Sequence, residues 1–480
     1  MGRLLLALAL LLLGLPLWAV LRRGLAHLGA LGRDLDVFWL SLALAGSGTL
    51  LVLLLGLLLA FWGLEGGVGR WGEALLLLPY LIPPFVVGMG LLFSLQGLGL
   101  KATGVFGILL AWTLHYTPLA YALLRPQVGA AFGLLQAARV HGVRGVRALK
   151  AFLPPLLPAL LAGGGALYLA LLGNFGIPAV LGLPERVYLL PTLVYARLLS
   201  PLARDPLGEA AALALLLGLA ALPALLLHRP PALEATLPPP SPGRRGARLA
   251  FLAYAFLALL LSLLGLFREA LVNPYTGRLE AAFGRVLELP VVRAGLLHSF
   301  LLALSAALLL LGLAALLRPW PRALRAVRGV MDLYYLLPGS LLGVGLILLL
   351  GGSPLYGTPW LLLLAYLLNF AALALRALEG GPRVEGSLLA ARVHGLPAWR
   401  AWLRVGFPLL APTLFGGFFL IFPLAFAEIT LSALLYAPGS ETVGVAALSL
   451  LNGGLYREAA ALGLLLTGAS ALALMARRVW

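Results

Sequence analysis

Residues 136–155 read QAARVHGVRGVRALKAFLPP, and residues 389–408 read LAARVHGLPAWRAWLRVGFP. The hexapeptide Ala137-Ala138-Arg139-Val140-His141-Gly142 returns unchanged as Ala390-Ala391-Arg392-Val393-His394-Gly395, at an offset of 253 residues, and Pro155 and Pro408 keep that offset. Upstream, Pro83, Gly88 and Gly90 share the P-x4-G-x-G spacing of Pro338, Gly343 and Gly345, at an offset of 255. Two matches in the same order mark an internal duplication, because coincidence among Leu-rich helices does not preserve two separate spacings.

Working outward, the composition fixes the medium. Of 480 residues 62% are hydrophobic and only 11% charged, with a mean hydropathy of +1.03, which excludes a water-exposed surface. A hydrocarbon layer about 30 Å thick needs roughly 20 apolar residues per helix. On that ruler an all-α polytopic membrane protein of about twelve transmembrane helices is expected, at 4–21, 37–62, 74–96, 104–124, 153–177, 207–227, 249–267, 294–317, 331–351, 359–378, 407–436 and 459–476. The first run ends in Arg22-Arg23 with no small-residue cleavage site, and reads as an uncleaved span. Residues 229–248 are proline-rich and read as an extended cytoplasmic linker. Six spans on each side of it enter the membrane in the same sense, as parallel repeats. The organisation expected is a first helix and outer loop (1–36), a first repeat domain (37–228), the linker (229–248), a seventh helix and outer loop (249–292) and a second repeat domain (293–477).

The formal charge of +17 is an orientation signal. With both termini cytoplasmic, inner loops hold 22 of the 34 Lys and Arg, against 12 outside. Basic residues in short clusters between apolar runs argue against a nucleic-acid partner and for the lipid bilayer. Cysteine is absent, which excludes zinc-finger, disulfide and thiol chemistry. Neither lysine, Lys101 or Lys150, follows a glycine, so a phosphate-binding Gly-Lys-[Ser/Thr] loop is missing. No metal-ligand spacing or paired carboxylate lies within a span, so no metal site and no catalytic residue is expected.

After Gly142, Val143, Val146 and Leu149 form an apolar stripe, and Arg144, Arg147 and Lys150 a basic one. Gly142 and Gly395 break the helix, and Pro397 opens the next, so each copy reads as two short helices joined at an angle. The Ala-Ala pair strips bulk from one face, where another protein can approach the backbone. This spacing, A-A-x3-G-x12-P in both copies, resembles the EAA loop of binding-protein-dependent ABC permeases of the type I importer class. The resemblance covers about residues 37–228 and 293–477. It implies that Ala137, Ala138, Arg139, Gly142 and Pro155, with Ala390, Ala391, Arg392, Gly395 and Pro408, couple the chain to a homodimer of ABC ATPase subunits. It further implies an extracytoplasmic substrate-binding protein and a place in the inner membrane. ATP and Mg would then sit on the ATPase, and no cofactor on this chain. One departure stands out: the family's leading Glu is Gln136 in one copy and Leu389 in the other.

Within the apolar run 418–436 stands Glu428; one offset of 253 back is Phe175, with the polar Asn174 beside it. A carboxylate there faces a cavity or a partner. Two readings stay open: Glu428 and Asn174 line the outer end of a pathway between the halves, or Glu428 is satisfied by inter-helix hydrogen bonds. Asp332 and Asn369 are weaker candidates, and His141 and His394 read as packing residues. Pro83-Pro84 and Pro338-Gly339, with the glycines after them, predict kinked spans in close contact. Fused two-half permeases resemble most closely the ferric-iron branch, with thiamine as the alternative substrate. A secondary transporter is the alternative of another class. The loops Gly63–Glu73 and Arg318–Val330, where such a transporter carries its signature, share no motif.

Overall fold

A computed structural model describes residues 2–143, 146–227, 243–274, 276–318 and 320–478. Most of the Pro-rich linker, and Arg144 with Gly145 of the first loop, lie outside the described residues. The protein is an all-helical, polytopic membrane protein. Its first half contains α1 (Gly2–Ala26), α2 (Leu35–Glu65), α3 (Arg70–Leu81), α4 (Pro84–Gly97), α5 (Gly104–Val140), α6 (Val146–Leu172), α7 (Gly176–Leu181), α8 (Leu190–Leu198) and α9 (Pro206–Leu227). The second contains α10 (Arg245–Leu271), α11 (Phe283–Glu288), α12 (Pro290–Leu317), α13 (Pro321–Leu336), α14 (Gly339–Leu350), α15 (Pro359–Glu379), α16 (Glu385–Val393), α17 (Ala398–Ala401), α18 (Phe407–Phe426), α19 (Thr430–Leu435), α20 (Val443–Asn452) and α21 (Tyr456–Arg478).

Among the described residues nine helices are long and apolar enough to cross a membrane, and up to eleven if each of two bent pairs is one span. The expected third and ninth spans are those pairs, α3–α4 and α13–α14, bent by 97° and 103°. The expected kinks are therefore right-angle breaks, centred on Pro83 and Pro338. Proline supplies no N–H to the preceding turn and forces its predecessor out of the helical region. In the first half the carbonyl of Pro79, four residues before Pro83, is met by the buried ring of His115 at 3.2 Å from Nδ1. In the second half the backbone closes itself, with Leu337 N donating to Tyr334 O at 3.2 Å.

The expected eleventh span, 407–436, is corrected in the same way. α18 stops at Phe426, and a separate short helix, α19, starts at Thr430. The fifth, 153–177, stops at Leu172 before α7, and the fourth, 104–124, runs on to Val140. Hydropathy finds apolar length, whereas these boundaries are set by backbone breaks inside, or polar helical turns beyond, the apolar run.

The repeat glycines show how the halves join. A Cβ on Gly88 would meet the side chain of Val180 at 3.4 Å, and one on Gly343 that of Leu434 at 2.9 Å, so each faces the short helix of its own half. A Cβ on Gly90 would lie 1.9 Å from the carbonyl oxygen of Ser262 on α10, and one on Gly345 2.8 Å from that of Pro16 on α1. The first helix of each half thus packs on the bent pair of the other half. Ser94 of α4 strengthens one such contact: its Oγ donates to Leu261 O (3.0 Å) and accepts from Gly265 N (2.8 Å) on α10. Small residues facing each other let two backbones touch, the usual basis of helix association in lipid.

Candidate functional site

Both copies of the hexapeptide end a helix in the same hydrogen-bonded turn. Val143 N donates to Ala138 O (2.9 Å) and Gly142 N to Arg139 O (3.1 Å); Leu396 N donates to Ala391 O (3.1 Å) and Gly395 N to Arg392 O (3.0 Å). This is a Schellman closure, which needs a left-handed residue just past the cap. Gly142 and Gly395 supply it, with φ of 77° and 88°. A side chain there is strained by its own carbonyl, which explains why the motif carries glycine.

The turn leaves the same residues outward in both copies. Ala138 and Ala391 face inward, while Ala137 and Ala390, Arg139 and Arg392, and His141 and His394 are exposed. The apical valines, although apolar, are exposed as well: Val140 at 85% and Val393 at 77%. His141 and His394 therefore do not pack, contrary to the expectation, because the left-handed turn carries the apex away from its neighbours. Gln136 and Leu389, where the resemblance leads one to expect Glu, are also outward.

The second copy has the two short helices expected, α16 and α17, with Pro397 as the N-cap residue of α17. The first copy differs: its two arms are the ends of the long helices α5 and α6. Pro155 lies inside α6, and Pro408 opens α18 just after a widened π turn at Trp402–Gly406. Arg147 and Lys150 are exposed. Beside the second copy, Trp320, Glu385, Arg392, Trp399 and Trp402 line a cleft of about 640 Å³.

Asn174 and Glu428 occupy the two breaks and act alike. Asn174 Oδ1 accepts from Ile177 N at 3.1 Å, and Glu428 Oε1 from Leu431 N at 2.9 Å, so each caps the short helix that follows. The Glu428 carboxylate also accepts from Ser432 N at 3.0 Å and from Ser432 Oγ at 3.2 Å. Asn174 donates to Tyr116 Oη at 2.9 Å and accepts from Trp112 Nε1 at 3.3 Å. The breaks meet between the halves: a Cβ on Gly176 would touch Ile429 at 3.4 Å, and one on Gly173 would touch Pro338 at 3.5 Å. Asp332 is ion-paired with Arg376 of α15, Nε to Oδ1 at 2.8 Å. Among the described residues no group of three His, Cys, Asp or Glu is placed to hold a metal ion.

The bends carry a pair that the sequence reading passed over. Tyr80 and Tyr335 stand three residues before Pro83 and Pro338, at the repeat offset of 255, and each is 36% exposed. Their hydroxyls lie within electrostatic reach of each other and of Tyr116. The shared offset was the available signal.

The chain is 27% identical over 385 residues to a protein of Sinorhizobium fredii described as probable ABC transporter permease protein y4fN. The match covers 72% of this chain and 66% of that protein, so the chain spans just under two thirds of its length. No family model matches the chain, and no solved structure matches it.

Proposed function

We propose that this chain is the membrane-spanning permease subunit of an ATP-binding-cassette importer, with both permease halves fused. One observation carries the reading: two identical hexapeptides end in the same glycine-closed turn, and each presents an exposed valine beside an exposed Arg and His. Exposed apolar side chains at a rigid apex are costly in water and pay only when a partner covers them. The similarity to a probable ABC transporter permease supports the same reading.

In this function each apex seats one subunit of an ATPase homodimer on the cytoplasmic side. Closure of that dimer on ATP drives the halves from inward-facing to outward-facing. A loaded binding protein on the outer face favours the outward state, in the cell (inner) membrane with both termini inside. The cargo proposed is ferric iron, gripped by hard oxygen ligands of the binding protein, with thiamine as the alternative. Asn174 and Glu428, at the meeting of the two breaks, border the path of the cargo.

Pull-down of the cognate ATPase with this chain tests the reading. Val140→Asp together with Val393→Asp should abolish capture, whereas uptake that persists on ion gradients after deletion of the ATPase genes would assign the chain to secondary transport. A thermal shift of the associated binding protein with ferric iron, set against thiamine, separates the cargoes.

A further inference from the structure

Glu65, the last residue of α2, and Arg318, which follows α12, stand 253 residues apart, the offset of the hexapeptide. Both are nearly buried, at 9% and 5% exposure, and each grips the loop-bearing segment of its own half. Glu65 Oε1 accepts from Arg139 Nη1, inside the hexapeptide, at 3.4 Å, and from Arg244 Nη1, at the start of α10, at 3.2 Å. Arg318 Nη1 donates to Glu385 Oε1, the first residue of α16, at 3.4 Å; its Nη2 donates to Pro382 O at 3.0 Å and Gly381 O at 3.4 Å.

The charges are inverted between the halves. In the register of the repeat Glu385 corresponds to Phe132, seven residues before Arg139. Seven residues are about two helical turns, which returns to the same face. The inversion recurs one layer further in, where Glu73 of α3 pairs with Arg125 of α5 and Arg328 of α13 pairs with Glu379 of α15. Identity at these positions has been lost while the link between the same two elements has been kept. That pattern marks the link, rather than either residue, as what the fold requires.

We propose that Glu65 and Arg318 are positioning residues that carry movement of the docking loops into the second span of each half. The proposal rests on the permease reading above. Each link has one nearly buried member, Glu65 or Arg318, whose charge is costly to leave without its partner, so the link keeps the loop-bearing segment attached to the end of its span as it moves. A tie at the end of α2 or α12 reaches the bundle directly, because α2 packs on α5 and α6, and α12 on α15 and α18.

The test uses the full chain in nanodiscs with its cognate ATPase. The chain has no cysteine of its own, so Leu100→Cys and Leu355→Cys, exposed positions one repeat apart, carry a pair of spin labels. With the otherwise unaltered chain, ATP plus vanadate should change the label separation. Glu65→Gln and Arg318→Met should bind the ATPase within about twofold of the parent and lose at least half of that change. Glu65→Asp and Arg318→Lys, which keep each charge but not the side-chain shape, should retain it, whereas a loss of packing alone would spare the isosteric Glu65→Gln. A full change of separation in both single variants would overturn the proposal, as would loss of ATPase binding in them, which would make the pairs docking elements. Failure of the parent chain to bind the ATPase would instead sink the permease reading, and this inference with it.

Discussion

Gly90→Ala gives the sharpest test of how the halves are joined. A Cβ there would lie 1.9 Å from Ser262 O, 2.6 Å from its carbonyl carbon and 3.2 Å from its Cα. All three are backbone atoms of α10, so no rotamer change relieves the overlap. Restoring an ordinary contact needs α10 to retreat by about 1.5 Å, an overpacking cost of roughly 1–3 kcal/mol. One turn along, Ser94 Oγ holds Leu261 O at 3.0 Å and Gly265 N at 2.8 Å, and the same retreat breaks both bonds. At about 0.6 kcal/mol each in a membrane setting, they bring the total to roughly 2–4 kcal/mol. Gly345→Ala meets Pro16 at 2.8 Å and should cost less, while Gly88→Ala meets nothing nearer than the Val180 side chain at 3.4 Å, an ordinary contact, and should be near neutral. Equilibrium unfolding of the full chain in mixed micelles measures all three. Equal stabilities for Gly90→Ala and Gly88→Ala would refute the helix exchange as a close backbone contact.

Three other outcomes follow from the structure. His115→Leu orphans the Pro79 carbonyl and should destabilise the chain by about 1–3 kcal/mol in the same titration, with no counterpart in the second half, whose bend closes its own carbonyl. Asn174→Ala removes the cap of α7 at a cost of about 1 kcal/mol; Glu428→Gln keeps a capping oxygen on α19, so normal expression with unchanged uptake would remove Glu428 from the cargo path. Asp205 joins the loop before α9 to Arg23 of α1 and to His27 just after it, and its carboxyl is held below the usual range by the Gly208 N–H first and by Arg23 and His27 after it. A lowered acid contributes stability above its ordinary pKa and loses it as pH falls through the lowered value; acid unfolding should therefore flatten in Asp205→Asn, and an unaltered acid limb would contradict that assignment.

What the sequence disclosed depended on whether a feature was local. The hexapeptide, its αL glycine and the proline bends are short-range devices, and each stands where its residues predict. The apolar runs gave the spans but hid their breaks, since 418–436 is apolar apart from Glu428, Thr430 and Ser432. The carboxylate of Glu428 is the marker: its two readings are a pathway or hydrogen bonds between helices, and the structure places it on the backbone N–H groups of Leu431 and Ser432, after the end of one helix and at the start of another. The exchange of first helices was illegible because it joins Gly90 to Ser262 and Gly345 to Pro16, pairs fixed by shape across halves and not by any periodicity within them. The tyrosines at the bends carried the repeat offset, but an apolar span with one phenol raises no alarm in a hydropathy reading.

The two kinds of contact divide the molecule by chemistry. At the closest approaches of α10 to α4 and of α1 to α14, around Gly90, Ser94 and Gly345, association relies on glycine, serine and proline against backbone. Such contacts have steep walls and tolerate little sliding. Around the docking loops the ties are ionic and sit at helix ends, as with Glu65 to Arg139 and Arg318 to Glu385. An ion pair tolerates reorientation better than a packed backbone does, and its sense can be inverted without changing its length. A duplicated chain built this way can keep α10 on α4 and α1 on α14 while each ionic link carries the movement of its loop into its own span. The inverted charges in the two halves are what that division permits: sequence drift at the ionic ties, and retained glycines where the halves interlock.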